Sequence, residues 1–545
     1  MDVLIIGGVA AGTKTAAKIK REDPLAKVTL LTKSADVSYA GCGLPYYVGD
    51  VIHDKASLIV NTPESFSKLT GVEVVTLMEA VAVNRVEKQV TARSVEDGKE
   101  HIYTYDKLVI ATGARPVKPP VEGTDLEGVY FMRTPEDAIA VRQAVDQGSV
   151  KRAVVVGAGL IGLEVAENLA ARGLMVSVID MADQILPGFD KEMADYVENW
   201  LADRDIMAFT GTRLEAILGD GHVQKVKTSR RAMKADLVIL SAGIRPNTEF
   251  LKDTGIELWP DGTVKVDEYL ATCDENIYAL GDCASVTNRL TGKRSWSPMG
   301  SSANMEGRIA ARNICGEKIK YPGVLGTAVA KLPQLNVGRT GLNEADAKAA
   351  GYDVISALCV VDDKAGYYPG ASSFIIKLVA DRTTDRFLGI QVLGAGEVDK
   401  VVDIAVMALS MKAKVADMED LDLSYAPPFS TAIHPLVTAV NVLKNKMTGR
   451  MDSITPAQFA QGEAQGRTIV DLGKTATIDG AQFVELEDVK PGYNGLSKEE
   501  PLLLVCTRGR RAYMSQVQLK ASGYENTKVL EGGLTFNPIH PEDEE

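Results

Sequence analysis

Short runs of aliphatic and β-branched residues alternate with amphipathic stretches along most of the chain. Val3–Ile6, Val28–Leu31, Arg152–Val156 and Met175–Ile179 are such runs. Apolar runs of this length read as parallel strands buried on both faces. The first is followed by a glycine turn and an Ala/Lys-rich helical stretch to Arg21. The third is followed by a glycine turn and a helix through Glu164, Val165 and Leu169. Strands alternating with helices predict an α/β fold with parallel sheets. The pattern changes after residue 326, where strands Phe374–Val379 and Phe387–Val392 come together and helices follow, as in an α+β domain. A last strand–helix unit runs from Pro501–Val505 through Tyr513 and Leu519.

Length and charge refine this picture. The 545 residues predict about three or four domains. The net charge of -13 argues against a nucleic-acid binder, whose footprint is basic. No apolar run reaches the ~18 residues that span a bilayer. The N-terminal run lacks a positive lead-in and reads as a strand, not a signal peptide. Six cysteines without a CxxC pair predict neither a disulfide scaffold nor a zinc site, and no metal is expected. The expectation is a cytoplasmic protein with one or two reactive thiols.

The first turn is Gly7-Gly8-Val9-Ala10-Ala11-Gly12. A strand, a glycine turn and a helix start hold a pyrophosphate through backbone N–H groups. The expected middle glycine is Val9. The acidic residue that should end the second strand is Thr32, which can still hydrogen-bond a ribose. Alone, this motif is as compatible with an ordinary tight turn. The second copy, Gly157-Ala158-Gly159-Leu160-Ile161-Gly162, has all three glycines, and its next strand ends at Asp180. A carboxylate there favours a free ribose 2′-hydroxyl, so NADH is expected over NADPH. A third signal, Ile277-Tyr278-Ala279-Leu280-Gly281-Asp282, brings Asp282 to a strand end where it can accept from a polyol. Two such turns about 150 residues apart, with the third signal returning later, predict one domain inserted in another, and the near-copies 105–116 and 235–247 mark the two crossings.

Together these motifs resemble the two-dinucleotide-fold flavoprotein disulfide reductases, over about residues 1–448. The resemblance implies FAD contacts from Gly7, Gly8, Ala11, Gly12, Thr32, Ser38, Gly281 and Asp282. It implies NAD(P)H contacts from Gly157, Gly159, Ile161, Gly162, Glu164 and Asp180. Ala111-Thr112-Gly113 and Gly243 match the family's chain-crossing motifs. The implied boundaries are 1–116 with 246–325 for the FAD domain, 117–245 for the NAD(P)H domain and 326–448 for a dimerisation domain.

The segment Ser38-Tyr39-Ala40-Gly41-Cys42-Gly43-Leu44-Pro45-Tyr46-Tyr47 narrows the resemblance. Val37 stands where a CxxxxC pair would have its other cysteine, so the site has one thiol. This is similar to the coenzyme A disulfide reductase branch, including NADH-dependent persulfide reductases. NADH oxidases and peroxidases, which cycle through sulfenic acid, are the alternative. Pro45 suits a first helical turn, so Cys42 is expected at a helix start that favours thiolate, with Ser38 one turn away. The branch implies that two tyrosines of a partner subunit reach the cysteine in a homodimer. Tyr367 and Tyr425 match them, with Tyr368 as the alternative to Tyr367. Lys14, Lys18 and Arg21 are candidates for CoA phosphates, although a solvated helix face is the commoner meaning of such residues. His434-Pro435 stands where the branch usually has Lys-Asp-Pro, and its role is left open.

Beyond residue 452, Cys506-Thr507-Arg508-Gly509-Arg510-Arg511 and GYENTKVLEGG resemble a rhodanese-like domain over 452–545. The resemblance implies a sulfur-carrying Cys506 on a flexible module, with Arg508 and Arg511 facing anionic donors. Asp471 matches the usual Asp-x-Arg, but Gly473 replaces its arginine.

Overall fold

A computed structural model describes residues 1–539, so the last six residues of the 452–545 segment lie outside it. The chain forms two units: Met1–Ile185 with Leu201–Val324, and Leu186–Trp200 with Leu325 onward. Each is described by itself.

In the first unit, a five-stranded parallel sheet has the order Ile277–Ala279, Lys107–Ile110, Asp2–Ile6, Lys27–Leu31, Glu73–Val75. The run Val3–Ile6 is buried throughout because both faces are covered. Val3 and Ile5 join the core beneath helices Ala10–Glu22 and Gly300–Ile314, while Leu4 and Ile6 join Val83, Val90 and Ala92 on the other side. The period of two is therefore present in space although the sequence hides it.

The second parallel sheet has the order Val129–Tyr130, Leu237–Leu240, Arg152–Val156, Met175–Ile179, Ile206–Phe209. It is built between the strands of the first sheet, as an insertion. The near-copy segments end in a short antiparallel ribbon in which Arg115 faces Arg245. Thr112 Oγ1 donates to Asn247 O at 2.7 Å, and Asn247 Nδ2 donates back to Thr112 O at 3.0 Å.

The second unit holds an antiparallel sheet in the order Ala328–Leu332, Leu335–Gly341, Phe387–Gly394, Ser373–Asp381, Val354–Asp362. Helices Val398–Ser410 and Pro435–Met447 accompany it. A five-stranded parallel sheet follows, ordered Ser453–Ile454, Thr527–Leu530, Leu502–Val505, Thr468–Asp471, Gln482–Phe483.

Two expectations need correction here. Residues 186–200, expected inside the 117–245 domain, group with the second unit. Buried Lys377 holds them: its Nζ lies 2.8 Å from Asp190 and from Glu344, and also pairs with Glu192. A buried ammonium needs such partners, so the segment is anchored to the sheet. The C-terminal module also does not hang free. Glu531, buried, accepts from Leu358 N at 2.8 Å and Lys446 Nζ at 2.6 Å, and Tyr196 stacks on Phe536 at 5.1 Å. No described helix is long and apolar enough to cross a membrane.

Candidate functional site

The two glycine turns are built alike. Gly7 has φ +118° and Gly157 φ +112°. A Cβ on Gly12 would lie 1.8 Å from Gly7 O, and one on Gly162 would lie 1.9 Å from Gly157 O. Only glycine lets each helix pass this close to its own strand end. Both helices, Ala10–Glu22 and Leu160–Ala171, start without a side-chain cap, at Val9 and Gly159. Their first N–H groups are thus not taken by a cap, which fits a pyrophosphate. A Cβ on Gly159 would meet no protein atom, so its absence leaves open space over the turn.

The turns differ at the strand that follows. Asp180 Oδ2 accepts from Ala158 N at 2.7 Å, and Oδ1 from Ala182 N at 2.8 Å, so the carboxylate is fixed beside the turn. Thr32 is buried against Gly8, whose Cβ would sit 2.9 Å from Thr32 Cβ, and its Oγ1 accepts from Ser34 N at 3.3 Å. Gly8 is therefore required by packing, whatever Val9 does.

The Gly281–Asp282 turn meets the first glycine turn. Gly281 has φ +74°, and a Cβ there would lie 3.0 Å from Ala11 Cβ. Gly281 N donates at 2.7 Å to Glu306, a carboxyl whose burial pushes it up to about 7. Asp282 Oδ2 pairs with Arg133 at 2.9 Å. Neither Glu306 nor Arg133 was found by sequence reasoning, because neither belongs to a motif. Lys14 and Lys18 are half-buried on the helix Ala10–Glu22, and Lys18 pairs with Glu22; Arg21 is exposed.

Cys42 is exposed, in the single turn Gly41–Gly43 that leads into helix Leu44–Val48. The second glycine turn's helix holds this segment. Tyr46 donates to Glu164 Oε1 at 3.1 Å, and Arg172 donates to Val48 O at 3.1 Å. Arg142 donates to Tyr47 O and Ile52 O, both at 2.9 Å. The expected thiolate bias is not what the protein imposes. Protein around the sulfur desolvates it and raises its pKa; Glu164 adds to this, Arg133 opposes it and Asp282 adds again. The helix has five residues, too few for a strong dipole. Ser38 is also not one helical turn away. It lies in strand Val37–Tyr39 at φ +54°, its N–H donates to Gly8 O at 2.8 Å, and its Oγ accepts from Asn61 at 3.4 Å.

The structure brings Tyr367 and Tyr425 together. Both are exposed, and their hydroxyls are hydrogen-bonded to each other, which raises the pKa of Tyr367. His434 is the N-cap of helix Pro435–Met447, with Nδ1 accepting from Leu436 N at 3.2 Å. Burial and then Lys400 lower its pKa, so it is a neutral cap.

Cys506 is buried, and its Sγ accepts from Ala512 N at 3.4 Å. Leu534 N donates to Cys506 O at 3.1 Å, which packs the GG segment over the loop. The arginines expected to face donors are engaged within the protein: Arg508 with Asp362 at 2.5 Å, and Arg511 Nε with Leu472 O at 2.7 Å. Asp471 accepts from Gly473 N, Thr477 N, Thr477 Oγ1 and Ile478 N, which replaces the missing arginine. Among the remaining thiols, burial pushes Cys283 up to about 11 and Cys359 up to about 12, as befits bystanders.

With this geometry in hand, known proteins give it a context. Residues 327–437 match the pyridine nucleotide-disulphide oxidoreductase dimerisation domain. The NAD(P)H sulfur oxidoreductase (CoA-dependent) of Pyrococcus furiosus is 38% identical over 443 residues, covering 81% of this chain and 99% of that protein. The NAD-dependent persulfide reductase from A. fulgidus superposes with TM-score 0.93 at 35% identity, covering 98% of this chain and 100% of that one. Reduced CoADR-RHD from Bacillus anthracis gives TM-score 0.93 at 30% identity, covering 98% and 97%. Residues 1–305, more than half of the chain, match the pyridine nucleotide-disulphide oxidoreductases, and the chain belongs to that family, whose cofactors are FAD and NAD(P)H.

Proposed function

We propose that this enzyme reduces CoA persulfide or polysulfide, and CoA disulfide, through Cys42. One observation carries the reading: Cys42, exposed between two glycines, lies on a segment fixed by the helix of the second nucleotide turn. The sulfur and nucleotide motifs thus meet in one wall.

The first turn with Gly281–Asp282 binds FAD, and residues 1–116 with 246–325 form its domain. The second turn with Asp180 binds NAD(P)H, and the fixed carboxylate favours NADH. When bound, these cofactors supply the two electrons that return Cys42 to its thiol state. The chain's own residues do the sulfur chemistry. Cys42 thiolate attacks one sulfur of CoA disulfide, forming a mixed disulfide and expelling one CoA thiolate. With CoA persulfide, attack on the outer sulfur expels CoA thiolate and leaves a persulfide on Cys42, whose reduction releases sulfide. The Tyr367–Tyr425 pair, supplied by a second copy through residues 326–448, gives the expelled thiolate a proton or a hydrogen bond. Gly41 and Gly43 carry no Cβ, so a ligand can approach the backbone closely beside the sulfur.

The C-terminal module is read as rhodanese-like, on its parallel sheet and Cys-x4-Arg loop. Its tight packing and engaged arginines support a docked sulfur-relay module whose turnover is weak by itself.

The test is anaerobic NADH oxidation with CoA persulfide, polysulfide or CoA disulfide, against oxygen and peroxide. Turnover with the CoA substrates supports the reading. Stoichiometric NADH use with oxygen and none with CoA substrates would establish the oxidase alternative.

A further inference from the structure

The face of the Cys42 segment carries a second group. Cys42 and Tyr46 are four residues apart across Gly41–Gly43 and Leu44–Val48, a spacing that places them on one face. Tyr46 donates at 3.1 Å to Glu164, which belongs to another helix, Leu160–Ala171. Glu164 forms no ion pair among the described residues. Its neighbours are Tyr46, Glu167 and Asn168, whose amide donates to Glu164 O at 2.8 Å and to Glu167 at 3.0 Å. The other charges facing Cys42, Arg133 and Asp282, are paired with each other at 2.9 Å. Arg172, the C-cap of the helix that carries Glu164, is engaged with Asp146 at 2.6 Å.

We propose that Glu164, held by Tyr46, is a positioning residue that holds back ionisation of Cys42: its fixed carboxylate keeps the thiol protonated. Burial and Glu167 push Glu164 up to about 7 against the pull of the Tyr46 bond, so the carboxyl is charged by the time the raised Cys42 thiol titrates. A carboxylate nearby disfavours a second negative charge on sulfur. The helix of Glu164 opens at the turn assigned to NAD(P)H, so the tuning group lies on the element that receives the reductant. The proposal rests on Cys42 being the working thiol and deepens that reading.

The test is the rate of iodoacetamide alkylation of Cys42, followed by mass spectrometry on the FAD-loaded full-length protein from pH 5.5 to 9.5. Glu164→Gln is expected to move the midpoint down by about half a pH unit, or about threefold faster alkylation well below it. Tyr46→Phe removes the bond that holds the Glu164 carboxylate in place, and is expected to move the midpoint the same way by less. Glu164→Asp is expected to keep the wild-type profile more closely than Glu164→Gln. A Glu164→Gln profile that superimposes on wild type, or shifts upward, overturns the proposal. If Glu164→Gln fails to retain FAD, an unmoved Tyr46→Phe midpoint overturns it instead. Full turnover of CoA substrates in Cys42→Ser would remove the underlying reading without changing the alkylation result.

Discussion

Cys42 and Cys506 each lie just before a helix, close to glycine, and each carries a motif that resembles a sulfur site. Their surroundings differ. Cys42 is open to solvent, and the groups near it, Tyr46, Glu164, Arg133 and Asp282, are polar and partly accessible. Cys506 is closed, its loop packed by Leu534 and Thr535, and Arg508 and Arg511 are turned to protein partners. A cysteine motif therefore fixes the local turn, while reactivity depends on what the rest of the fold leaves beside the sulfur.

The strongest way to break this contrast is Cys42→Ser. Anaerobic NADH oxidation with CoA disulfide should fall by about a hundredfold or more, since the nucleophile itself is removed. Retained turnover would place the chemistry elsewhere. Next comes the closed state of Cys506. Lys446→Ala removes the cation paired with buried Glu531, a loss of about 3 kcal/mol or more. The module should loosen, and Cys506 should alkylate about a hundredfold faster, read by mass spectrometry. Unchanged labelling would show that Glu531 does not hold the module. Tyr367→Phe should slow CoA disulfide reduction by about tenfold. Because the two hydroxyls are bonded to each other, adding Tyr425→Phe should cost less than a second such factor. The smallest expected effect is that of Cys506→Ser on CoA disulfide turnover, within about twofold in steady-state assays, because a buried sulfur takes no part in that half of the chemistry. Its effect should be confined to sulfane-sulfur substrates.

Much of this was legible before the fold was known. The strands and both glycine turns follow from local pattern. Their geometry depends on collisions between atoms a few residues apart, such as Gly12 with Gly7 O and Gly162 with Gly157 O. Asp180 was legible for the same reason, as one strand separates it from the turn it grips. The single-thiol site and the tyrosine pair are expectations that rest on resemblance, since Tyr367 and Tyr425 are 58 residues apart and nothing local joins them.

Other features were not legible. The sequence suggested a thiolate at a helix start, but the charge around Cys42 comes from residues 133, 164 and 282, brought together by tertiary packing. Lys377 recruits residues 186–200 to another unit because a buried ammonium requires carboxylates wherever the chain can supply them. Glu306 and Arg133 act by position alone. The sequence by itself determined the strand–turn–helix units, the two glycine turns and the number of candidate thiols, because these depend on backbone geometry over a few residues. Only the tertiary structure decided which thiols are exposed, which arginines are engaged within the protein and which carboxyls burial pushes up. Desolvation and charge pairing are summed over all neighbours in space, and most of those neighbours are far away along the chain.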